Sequence, residues 1–148
     1  MFLRHALAVL AALAFAACTH TGVATDVPDL KDMRLAVAGG KVGAPVEVRY
    51  AIQGAVMPGL STPIALAVVP RAPGRLRVEF PATGNVTVLA DEAPLVVEKA
   101  AAATVYRYAL HATAQRRDAA PLKVIVTMEF GDARYFSVFS IPLGSATE

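Results

Sequence analysis

The sequence predicts an all-β protein, a single antiparallel sandwich of seven to nine strands, and three observations carry that prediction. After about residue 30, apolar side chains recur at every second position, the period of strands with one buried face. Short segments containing glycine or proline separate these runs and force turns between them. Helix has almost no room: the best candidate, "EKAAAAT" at residues 98–104, is about two turns long, lacks a convincing cap, and is too short to be stable alone.

The strands follow in order. One is expected at residues 34–38, ended by "AGGKVGAP". In "PVEVRYAIQG", Val46, Val48, Tyr50 and Ile52 alternate with Glu47, Arg49, Ala51 and Gln53, so one face is core and the other wet. Beyond the turn "VMPGLSTP", residues 64–69 are apolar on both faces: Ile64, Leu66 and Val68 on one, Ala65, Ala67 and Val69 on the other. "RLRVEF" turns Leu76, Val78 and Phe80 inward and Arg75, Arg77 and Glu79 outward. Shorter strands are expected at residues 85–89 and 95–98. "YRYALHA" sets Tyr106, Tyr108 and Leu110 against Arg107 and His111. "LKVIVTMEF" aligns Leu122, Val124, Val126, Met128 and Phe130, and the short "GDA" connection to "RYFSVFSIPL" is a hairpin signal.

This succession is similar to an immunoglobulin-like domain, mostly in its last third, where an aromatic-bearing strand, a strongly alternating strand and a final hairpin follow one another. The resemblance is one of architecture and implies no particular activity. The cysteine pair and core tryptophan of antibody-type members are missing, since the chain has no Trp and its single cysteine precedes the domain.

That cysteine, Cys18, closes the stretch "LAFAAC". Arg4 and His5 precede an uncharged apolar run over residues 6–17, the order of a secretory signal peptide. The run is shorter than the ~20 apolar residues of a membrane span. Two cleavage readings compete. Ala14-Phe15-Ala16 fits ordinary signal peptidase and would leave a free thiol near the new N-terminus. Alternatively, "FAAC" resembles the lipobox of bacterial lipoproteins, with Phe15 where leucine is commoner. That resemblance implies cleavage before Cys18, fatty acylation of its sulfur and N-terminus, and, with Thr19 following, an outer-membrane destination facing the periplasm. The expected organisation is a signal peptide at residues 1–17, a lipidated cysteine and flexible tether at 18–30, and the sandwich at 31–148.

Composition narrows the function. Without the leader, thirteen basic residues face twelve acids, so neither a nucleic-acid-binding field nor an acidic tail is present. No serine stands in a nucleophile elbow, and His111 lies on an outward strand face, so no catalytic residue and no enzyme activity is expected. No metal and no cofactor is expected either. A small periplasmic ligand- or copper-binding carrier is the rival reading, yet the candidate copper ligands Met33, Met57, Met128, His20 and His111 form no close pair. Two clusters remain. Arg71, Arg75 and Arg77 are candidates for binding anions through guanidinium forks. Phe136, Val138, Ile125 and Val69 fall on outward faces and are candidates for burial against a protein partner or a second copy. The expected role is therefore a non-enzymatic binding or scaffolding module held to a membrane by an N-terminal lipid.

Overall fold

A computed structural model describes residues 27–91 and 93–144. The leader, Cys18, His20, residues 18–26 of the expected tether and Ser145 lie outside the described residues.

The chain forms a β-sandwich of two five-stranded antiparallel sheets. Sheet A is ordered β1-β3-β4-β8-β6: β1 (Arg34–Leu35), β3 (Val46–Ile52), β4 (Ser61–Pro70), β8 (Tyr106–Ala114) and β6 (Val86–Ala90). Sheet B is ordered β2-β10-β9-β5-β7: β2 (Val37–Gly39), β10 (Ala133–Ile141), β9 (Leu122–Phe130), β5 (Gly74–Glu79) and β7 (Leu95–Ala100). The strand count reaches ten because the run expected at residues 34–38 splits. Ala36, 5% exposed, is the crossing point between β1 in one sheet and β2 in the other.

Seven strands follow the constant-type immunoglobulin order, in which the first, second, fifth and fourth strands share one sheet and the seventh, sixth and third the other. Here these are β3-β4-β8-β6 and β10-β9-β5. β7 is inserted in the chain between β6 and β8 and extends the free side of β5.

The predicted alternation sets the core. Val48, Leu66, Val68 and Leu110 from sheet A meet Leu76, Val78, Leu122, Val124, Val126 and Met128 from sheet B, each at most 1% exposed. Burying a side chain of this size contributes about 1.5–3 kcal/mol. No cysteine lies among the described residues, so this aliphatic packing closes the two layers without a cross-link.

Two local features have plain causes. Gln53 N–H donates to Pro63 O at 2.9 Å, the first half of a two-bond antiparallel pair. Proline has no N–H to return the second bond, so the β3–β4 ladder ends at the Ile52–Ile64 pair. "EKAAAAT" makes no helix: its first three residues finish β7, paired with β5, and Ala103 turns the chain with φ of 62°. Strand pairing through Val96 and Val97 overrides the helical propensity of the alanines.

Gly74, opposite Ala100 at the start of β5, is a close-approach position. A Cβ there would lie 2.6 Å from the Glu129 carbonyl oxygen and 3.0 Å from the Phe130 ring. Gly74→Ala is expected to destabilise the fold by about 1–3 kcal/mol, seen as a lower urea midpoint at unchanged slope.

Candidate functional site

In β9 and β10 the core-facing residues alternate with an outward set. Register places Val138 beside Ile125, Phe136 beside Thr127 and Arg134 beside Glu129. Continuing onto β5, Glu79 stands next to Ile125, Arg77 next to Thr127 and Arg75 next to Glu129. Three of the four expected partner-binding residues thus share the outer face of sheet B. Phe136 is 65% exposed and forms the summit of the patch, while Ile125 and Val138 are half-buried around its base. Val37 of β2, next to Ser140, extends the apolar surface at the sheet edge and is 74% exposed. Val69, the fourth candidate, is on the outer face of sheet A beside Glu47 and takes no part in this patch.

The patch is bounded by charge. At one end a row crosses four strands: Arg75 bridges Glu98 (3.0 Å) and Glu129 (3.2 Å), and Glu129 also meets Arg134 (3.5 Å). Along the β5 side, Arg77 pairs with Glu79 (3.0 Å). Toward the other end, Lys123 Nζ donates to Ser140 Oγ at 2.6 Å. The turn between β9 and β10 is held by the tilted rings of Phe130 and Tyr135, whose centroids are 5.8 Å apart. Exposed ion pairs of this kind contribute little to stability, about 0–1 kcal/mol each. Their effect here is to frame an apolar area with fixed, neutralised charge.

The three arginines do not form one cluster. The β4–β5 connection passes between the sheets, leaving Arg75 and Arg77 on sheet B while Arg71 reaches Glu47 on the outer face of sheet A (3.5 Å). Each is engaged by a carboxylate. Arg116, in the loop before β9, is likewise paired with Asp118 (3.0 Å).

Glu47 is the carboxylate whose titration the structure alters most plainly. A hydrogen bond from Arg49 holds its pKa below the ordinary 4.5, with the Arg49 and Arg71 charges adding to it and partial burial opposing. A carboxylate with a lowered folded-state pKa stabilises the fold fully above its unfolded value, and that stabilisation is lost as pH falls through the folded one. Glu47→Gln is therefore expected to flatten the decline of stability on the acid side of pH 4.5, as measured by urea melts at stepped pH. An unchanged acid limb would assign that decline to other groups.

The outer face of sheet A is apolar at its centre, and there the chain covers itself. Met33 packs on Ala65 and Ala67, with Leu30 and Ala51 around them. Arg107 Nη1 donates to Pro28 O at 2.8 Å, and Arg49 Nη1 to Leu30 O at 3.3 Å. This explains why β4 is apolar on both faces: Ile64, Leu66 and Val68 fill the core, while Ala65 and Ala67 receive the segment preceding β1.

The copper-ligand candidates are dispersed. Met128 is in the core, Met57 in an exposed loop, and Met33 against Arg107, four positions along β8 from His111 on the exposed face. A cleft of about 470 Å³ at one end of the sandwich has a mixed lining that includes Asp32, Arg34, Ile52 and Leu143. Among the described residues its lining brings together one acid and one base, with no histidine, serine or threonine.

Compared with known proteins, the chain matches no family model and no curated protein.

Proposed function

We propose that this protein is an envelope lipoprotein, anchored through acylated Cys18 to the periplasmic side of the outer membrane, whose sandwich is a non-enzymatic binding or scaffolding module. The observation that carries the binding role is the outer face of sheet B, where Phe136 stands 65% exposed over Ile125 and Val138 inside a frame of paired charges. A contiguous apolar patch with a polar rim is the anatomy of a protein-docking surface. The frame supports specificity, because a partner must meet its ion pairs in register. The anchor is supported by the leader and by the position of the chain's single cysteine.

Intact mass of the protein extracted from membranes tests the anchor. The expected species begins at Cys18 and carries a diacylglycerol and an N-terminal acyl chain; a chain starting at Ala17 with an unmodified sulfur would overturn it. A copper carrier is the weaker reading, since among the described residues Met128 is buried in the core and Met57 stands in a loop, which leaves only Met33 and His111 on one face. Titration with Cu(I) and Cu(II) is expected to show no stoichiometric binding that His111→Ala removes.

A further inference from the structure

We propose that residues 27–33 act as a docked strap that shortens the reach of the lipid anchor and turns the Phe136 face away from the membrane. The proposal rests on the anchored reading above and extends it to the orientation of the domain.

The strap has a built seat. Register across β3, β4 and β8 sets Arg49 and Arg107 on either side of Ala67, so two guanidinium groups flank a small residue. Each reaches up to a strap carbonyl, Arg49 to Leu30 and Arg107 to Pro28. Between them the strap inserts Met33, which is 4% exposed, above Ala65 at 7% and Ala67 at 0%. Larger side chains at the two alanines would lift the strap off, and a shorter base than arginine would not span to its carbonyls. Farther along, Val27 borders a shallow groove with Pro63, Ala109 and His111, so the first described residue lies over sheet A.

This placement has a geometric consequence. Nine residue steps separate Cys18 from Val27, a maximum reach of about 32 Å. Were the strap free to the start of β1, sixteen steps would separate Cys18 from Arg34, a reach of about 56 Å. Docking holds back about 24 Å of tether and starts the remainder from the outer face of sheet A, which biases that face toward the bilayer. Phe136 then lies beyond the second layer, the sheets of a sandwich being about 10 Å apart, facing the opposite way.

The test uses the full chain in phospholipid vesicles containing an acceptor dye, with a donor dye on one introduced thiol. Thr87→Cys places it on the outer face of sheet A and Val37→Cys on that of sheet B. Transfer to the bilayer is expected to be stronger from position 87 than from position 37, and the difference should vanish in the Arg49→Ala/Arg107→Ala double variant. Equal transfer from both positions in the otherwise unaltered chain would overturn the orientation while leaving the anchor intact. No transfer from either position would overturn the anchored reading, and the orientation with it. Docking is read separately by peroxide oxidation, in which Met57, 54% exposed, is the internal reference. Met33 should react more slowly, and Arg107→Ala should accelerate it about tenfold, the population change from losing one charge-assisted hydrogen bond. The thermal melt should keep its cooperative transition. Met33 reacting as fast as Met57 in the unaltered chain would overturn the docked strap.

Discussion

Phe136→Asp is expected to abolish partner capture by the outer face of sheet B while leaving the fold intact. Phe136 is 65% exposed, so the sandwich loses little packing when it is replaced. In a complex, however, an aromatic anchor at the centre of an apolar patch typically carries about 2–4 kcal/mol, a loss on the order of 30- to 1,000-fold in affinity. The introduced carboxylate adds the cost of burying a charge without a partner. A photo-reactive residue at position 138 reads the result in cells. The adduct formed in the parent background should disappear with Phe136→Asp, and the two purified proteins should melt within a few degrees of each other. The same adduct at the same yield in both backgrounds would remove sheet B from consideration as the docking face.

The second large effect is on stability and sets two leucines against each other. Leu110 and Leu89 lie on adjacent strands, but Leu110 is 0% exposed in the core whereas Leu89, paired with His111, is 75% exposed. Leu110→Ala removes buried methylenes and leaves a void, with an expected cost of about 2–5 kcal/mol and a fall in Tm on the order of 10–20 °C. Leu89→Ala should change stability by no more than about 0.5 kcal/mol. Chemical melts of both variants check the pair. Comparable losses would mean that the outer face near β6 is covered.

Much of the fold was legible because a strand's side-chain period maps directly onto its two faces. Alternation at Val46, Val48 and Tyr50, at Leu76 and Val78, and from Leu122 to Met128 identified the core side of each strand, and the structure buries those residues. The composition of the Phe136 patch was legible for the same reason: Phe136, Val138 and Ile125 break the polar half of a clear alternation. Properties that depend on which strands become neighbours were not legible. Arg71, Arg75 and Arg77 are close in sequence, yet the chain changes sheet between the first and the others. Conversely, Glu98, Arg75, Glu129 and Arg134 form a continuous row from four separate strands, with no local pattern to announce it. The seat of the strap was not legible because its signal is the small size of Ala65 and Ala67, and because Leu30 and Met33 sit in and at the end of a single 3-10 turn, too short to show a periodicity.

The order of sheet B also governs when the domain can fold. Its two inner strands on the β2 side, β9 and β10, are the last of the sandwich strands to be synthesised, and β5 has β9 as its inner neighbour. Until Leu122 to Ile141 have emerged from the ribosome, sheet A has only the β5–β7 pair to pack against, and β5 lacks its inner neighbour. The polypeptide therefore completes its second layer only once β9 and β10 have been made, and a chain cut short before β9 would have no full sandwich to close. Folding of this kind, dominated by pairings between distant segments, is slow compared with that of a helical bundle. Such a chain stays open while it is being made, and its two layers close only once β9 and β10 are both available.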